Sequence, residues 1–110
     1  MDIRKRFEGN VAILSLDGQL DLTSASTLKE ASREVLENDT KKIVLNLDKV
    51  DFINSSGLGA LVSVLKDVRN ARGSMKISNL APYVKEIFDV TQLSNIFEIF
   101  HDENQAITSF

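Results

Sequence analysis

The residues able to do chemistry concentrate in one stretch, Asn54-Ser55-Ser56-Gly57-Leu58-Gly59. A serine hydroxyl can accept a phosphoryl group, attack an electrophile when a base stands beside it, or cap a helix by accepting a backbone N–H. The nucleophile elbow needs Gly-x-Ser-x-Gly, and Asn54-Ser55-Ser56-Gly57 lacks its first glycine. The only histidine, His101, lies beside Asp102 near the C-terminus and has no evident route to Ser55. Gly57-Leu58-Gly59 at a helix start is a weak phosphate-cradle signal, because the chain has neither Gly-Lys-Ser/Thr nor a full Gly-x-Gly-x-x-Gly. Capping a helix is the ordinary role of such a serine pair. Glycine inside a helix costs roughly 1 kcal/mol relative to alanine, so Gly57 and Gly59 in one turn point to a use other than stability. Bare of side chains, they let a macromolecular partner approach the turn closely.

The flanking segments fix where this stretch sits. Upstream, Lys42-Ile43-Val44-Leu45-Asn46-Leu47 is a short apolar run of the kind that forms a sheet-core strand. Downstream, Leu58, Leu61, Val62, Leu65 and Val68 fall at helical spacing and give one stripe to pack on that sheet. The serines therefore stand at a strand-to-helix turn, where either can cap the helix. Earlier, Ile3 to Phe7 alternates as a half-buried edge strand, Glu8-Gly9-Asn10 turns the chain, and Val11 to Leu16 returns, with Asp17-Gly18 ending the hairpin. Asp21-Leu22-Thr23-Ser24 offers N-caps for a helix whose apolar stripe is Leu28, Ala31, Val35 and Leu36, stopped by Asn38-Asp39. Arg69 and Arg72 suit the last turn of the serine-led helix, and Gly73 its C-cap. Met75 to Ser78 reads as a strand, and Pro82 opens a helix with Val84, Ile87 and Phe88 inward. Ile96 to Phe100 reads as a last strand or a packed loop, and Asp102 caps a short helix through Ala106 and Ile107. Strand–helix–strand crossovers in series imply parallel pairing, and the opening hairpin adds an antiparallel edge. The expected fold is an α/β domain with a mixed, mostly parallel sheet of about four or five strands and about four helices.

Composition narrows the function classes. A chain of 110 residues holds one domain, spanning 1–110. A net charge of −3 leaves no basic footprint, which argues against sequence-independent nucleic-acid binding. There is no cysteine, so disulfides and thiolate metal sites are excluded, and the scattered acids suggest no other metal site. No apolar run reaches the ~20 residues of a membrane span. The charged start, Met1-Asp2-Ile3-Arg4-Lys5-Arg6, lacks a signal-peptide centre. A cytoplasmic protein is expected, with no cofactor and no enzymatic activity of its own.

The segment Ile43 to Leu65, centred on Asn54-Ser55-Ser56-Gly57-Leu58-Gly59, resembles the signature of bacterial anti-sigma factor antagonists, single-domain members of the STAS family (sulfate transporter and anti-sigma factor antagonist). Gly18-Gln19-Leu20-Asp21 resembles the family's turn before its first helix, and Ala81-Pro82-Tyr83-Val84-Lys85-Glu86-Ile87-Phe88 its late helix, so the similarity covers nearly the whole chain in order.

This resemblance implies a phosphorylation-controlled partner switch. Ser55 would be the phosphoacceptor of an anti-sigma factor with serine kinase activity, and the unmodified chain would bind that kinase and free a sigma factor. A metal-dependent serine phosphatase would reset the switch. Asp21, Asn54, Ser56, Gly57, Leu58 and Gly59 would form the partner surface of a chain that is monomeric when free. Within that set, Ser56 is the expected structural cap, worth on the order of 1 kcal/mol. Asp21 combines a cap with a partner contact, and Leu58 is either a partner contact or an inward residue. Asn54 departs from the family pattern, which has aspartate just before the phosphoserine; the amide keeps the shape and one acceptor oxygen but loses the charge. The alternative inside the family is a non-switching scaffold or small subunit of a stress-signalling or transport complex.

Overall fold

The computed structural model describes residues 1–110. Its elements run β1 (Asp2–Glu8), β2 (Val11–Leu20), α1 (Leu22–Glu37), β3 (Lys42–Ile53), α2 (Ser55–Asn70), β4 (Ser74–Ser78), α3 (Pro82–Val90), a 3₁₀ turn (Leu93–Asn95), β5 (Glu98–Phe100) and α4 (Glu103–Thr108). The strands lie in the order β1-β2-β3-β4-β5, with β1 antiparallel to β2 and every other pair parallel. The expected mixed sheet is therefore present, and it steps across in chain order with one helix per crossover.

The strand period sorts the interior into two faces. Ala12, Leu14 and Leu16 of β2, Ile43, Leu45 and Leu47 of β3, and Met75 and Ile77 of β4 face one way. There they meet Leu28 and Val35 of α1, Leu61, Leu65 and Val68 of α2, and Val84 and Phe88 of α3 in a single core. Val11, Ile13 and Val44 face the other way, under Ala106 of α4. That second layer is thin. α4 has 6 residues, too few to be stable alone, and polar clamps hold it down. Glu103 bonds Arg6 and the Asn46 amide, while buried Lys76 donates to the Ser109 carbonyl and hydroxyl and lies over the Phe110 ring.

Four boundaries differ from the sequence expectation. β2 does not stop at Asp17-Gly18, and β3 does not stop at Leu47: their outer ends pair as far as Leu20↔Ile53, with register shifts after Ser15 and after Gly18. Charged residues there merely face solvent, and Gly18, at φ +131°, absorbs an irregularity inside the strand. The left-handed residue after α2 is Arg72, not Gly73. A β-carbon on Gly73 would lie 2.5 Å from the Lys41 carbonyl oxygen, so that glycine serves a close crossing. The last strand is shorter than expected, because the Ile96 and Phe97 N–H groups both donate to the Leu93 carbonyl and close the 3₁₀ turn instead of pairing in the sheet.

Candidate functional site

The paired tips of β2 and β3 carry the site. Leu20 is opposite Ile53, and the Asn54 N–H donates to the Leu20 carbonyl at 3.2 Å. Each tip turns at once into a helix, so the N-termini of α1 and α2 start side by side. Asp21 caps α1: its Oδ1 accepts from the Thr23 N–H at 3.0 Å, the Thr23 hydroxyl at 2.6 Å and the Ser24 N–H at 3.3 Å. Ser24 Oγ accepts the Asp21 N–H in return at 2.9 Å, completing a capping box. The Thr23 hydroxyl, followed by the two backbone donors, holds the Asp21 carboxyl below the usual carboxylate range, so the group is anionic at neutral pH.

At α2 the capping expectation is corrected. Neither serine caps the helix. Asn54 has the extended backbone of a cap (φ −120°, ψ −175°), and its Oδ1 accepts the Gly57 N–H at 3.0 Å. Ser55 and Ser56 are already the first two helical residues, and both side chains are exposed. Their N–H groups precede the first intrahelical bond, Leu58 N–H to the Asn54 carbonyl at 2.9 Å, and so remain free for water or an anion. Two adjacent N-termini concentrate positive partial charge here, offset at α1 by the Asp21 carboxylate and left unbalanced at α2 by its neutral cap.

The two glycines have unlike roles. A β-carbon on Gly57 would lie 2.2 Å from the Leu20 carbonyl oxygen and 2.9 Å from the Leu20 side chain. Gly57 is buried, so its smallness serves the crossing of α2 over the tip of β2 and offers no opening to a partner. Gly59 is exposed, and a β-carbon there would have nothing within 4 Å. Leu58 is half-buried, packing its inner side on the core. The structure thus brings Asp21, Asn54, Ser55 and Ser56 to one end of the sheet, with Gly57 beneath them. His101 is exposed next to Asp102, the cap of α4, and shares no hydrogen bond with either serine.

Two apolar residues near this rim are not singled out by the sequence pattern above. Leu22, the first residue of α1, is 75% exposed, and Phe52, just before the tip of β3, is 39% exposed. A signal for Leu22 does exist: the buried line of α1 is Ser24, Leu28, Ser32 and Val35, and Leu22 lies off it. Phe52 carries no such signal, since the apolar run that marks its strand ends at Leu47.

The family model for the STAS domain matches residues 2–106. The chain belongs to the STAS domain family. It is 30% identical over 95 residues to the anti-sigma-B factor antagonist of Bacillus subtilis, covering 86% of this chain and 85% of that one. The fold is shared with the crystal structure of an anti-sigma factor antagonist from Mycobacterium paratuberculosis, at a TM-score of 0.86 and 21% identity, over 98% of this chain and 92% of that one. It is shared too with the phosphorylated form of the Bacillus cell fate determinant SpoIIAA, at a TM-score of 0.73 and 17% identity, over 98% of each. No helix of this STAS domain is long and apolar enough to cross a membrane.

Proposed function

We propose that this STAS domain is an anti-sigma factor antagonist whose binding is switched by phosphorylation of Ser55. Unmodified, it binds an anti-sigma factor with serine kinase activity and frees a sigma factor; phosphorylated, it lets go, and a metal-dependent serine phosphatase restores it. The protein acts by binding and catalyses no reaction. The Bacillus subtilis relative named as an anti-sigma-B factor antagonist supports the partner class.

The observation that carries the reading is the position of Ser55, exposed in the first turn of α2 beside the N-terminus of α1. A phosphoserine brings about −1.5 to −2 charges. There the helix dipole and free N–H groups hold the charge without disturbing the core, so the modification alters the surface alone. A dianion pressed into a tight interface costs a few kcal/mol, about two orders of magnitude in affinity. Asp21, Asn54, Ser56, Leu58 and Gly59 form the contact surface around the serine, and Gly57 sets the height of the turn.

The test is phosphosite mapping on the protein from its native cells, with binding of the co-purifying kinase measured for Ser55→Ala and Ser55→Asp. Phosphate on Ser55, tight binding by the alanine variant and lost binding by the aspartate variant are expected. Equal affinities for the two variants refute the switch and favour a scaffold.

A further inference from the structure

The second face of the sheet is only partly covered. α4 packs over Val11, Ile13 and Val44, leaving the rungs nearer the tips of β2 and β3 open. On those rungs Arg4 pairs with Ser15, and Ser15 with Asn46. Paired residues share a face, so these side chains form one row across β1, β2 and β3. The next step is a bulge: Asp17 faces Lys49, so two steps along β2 answer three along β3. Bulges bend a strand and re-aim its side chains. Here Asp48 and Lys49 join the row in lining the largest concavity of the molecule, about 510 Å³. That lies within the roughly 300–1,000 Å³ usual for small-ligand sites.

The groups in this groove differ in what they are free to do. Arg6 is engaged by Glu8 and Glu103, and Lys5 reaches across to Glu34. Asn46 is fixed at both ends: its Oδ1 accepts the Asp48 N–H at 2.9 Å and its amide donates to Glu103 at 2.8 Å. Arg4 and Lys49 belong to none of the ion pairs, although Asp17 and Asp48 line the same groove. A solvated sheet face needs charge but no concavity, and the bulge supplies one.

We propose that this groove binds a small hydrophilic ligand carrying one oxyanion, phosphate or carboxylate, together with hydroxyl groups. Arg4 presents a planar fork suited to an oxyanion, and Lys49 adds a second cation from the opposite strand. Asp17 and Asp48 accept from ligand hydroxyls, and the Ser15 hydroxyl can donate or accept. The site lies on the face opposite α1, α2 and α3 and uses none of the Ser55 surface, so it is independent of the switch.

The test is an amide chemical-shift titration of the full chain at constant ionic strength. Ribose 5-phosphate, gluconate, inorganic phosphate and ribose serve as probes. Saturable shifts confined to β1, β2 and β3 are expected with ribose 5-phosphate, gluconate or both, and which of them saturates distinguishes phosphate from carboxylate. Arg4→Gln and Lys49→Gln, both on exposed strand positions, are each expected to weaken binding about tenfold, and Ser55→Ala to leave it unchanged. Linear or scattered shifts with both oxyanion probes overturn the assignment, as do curves unaltered by Arg4→Gln. Equal affinity for inorganic phosphate and ribose 5-phosphate removes the role given to Asp17 and Asp48.

Discussion

Gly57→Ala and Gly59→Ala are the same chemical change two residues apart in one helix, and the structure predicts opposite signs for them. At Gly57 the new methyl meets the Leu20 carbonyl oxygen at 2.2 Å, where ordinary contact begins at 3.4 Å. The obstacle is backbone, and that backbone is tied: the same carbonyl accepts the Asn54 N–H. Relief requires α2 to lift by about 1 Å, loosening Leu61 and Val64 from the sheet, and such overpacking costs about 1–3 kcal/mol or more. Helix propensity returns up to about 1 kcal/mol, so a net loss of about 2 kcal/mol is expected when the clash lies at the upper end. At about 2.1 cal/mol/K per residue, the 110 residues unfold with an entropy of about 0.23 kcal/mol/K, so Tm falls by roughly 9 °C. At Gly59 nothing lies within 4 Å, and the same methyl should raise Tm by roughly 2–4 °C. Paired thermal and urea unfolding curves check both. A Gly57→Ala protein as stable as the parent refutes the close crossing of α2 over β2.

Asn54→Ala should cost about 1 kcal/mol in urea unfolding through loss of the α2 cap, whereas Ser56→Ala should cost far less; the reverse order would return the cap to the serine. Leu22→Asp should leave Tm within about 2 °C while weakening binding to the anti-sigma partner, and unchanged binding would place the interface elsewhere. Burial raises the Glu103 carboxyl, but bonds from the Asn46 amide and Arg6 outweigh it and hold the group below its ordinary range. Its folded value is depressed, so its contribution is present above the unfolded value and lost as pH falls through the folded one. Protection of the α4 amides, measured against the intrinsic exchange rate at each pH, should therefore fall below about pH 4, and Glu103→Gln should flatten that dependence.

The elements are legible in the sequence because periodicity reports which face is wet, as the stripes of α1, α2 and α3 do; the alternation of β1 marks the strand but not its burial, since Ile3 is half-buried while Phe7 is exposed on the sheet's border. The bulges are not, since a register shift between β2 and β3 depends on pairing between distant segments and leaves no local mark beyond Gly18. Capping by Asn54 is hidden for another reason. Asn54, Ser55 and Ser56 are all good caps, and only the backbone direction leaving Ile53 decides among them. Gly57 stands out by its type, but its purpose depends on the Leu20 carbonyl, which no inspection of neighbours along the chain can place. The positions of Asp21, Asp102 and Pro82 at helix starts are readable because each side chain acts within its own turn.

Both borders of the sheet share one property. β5 contributes only 3 residues, and β1 turns outward a run of Arg4, Lys5 and Arg6. An unpaired strand is a template on which further strands grow, and chains that expose one tend to polymerise. Here the far border is too short to seed growth, and two copies of β1 laid together would set like charges against one another. The domain can therefore be made in many copies at once without its sheets zipping together, as a protein titrating another by mass action requires.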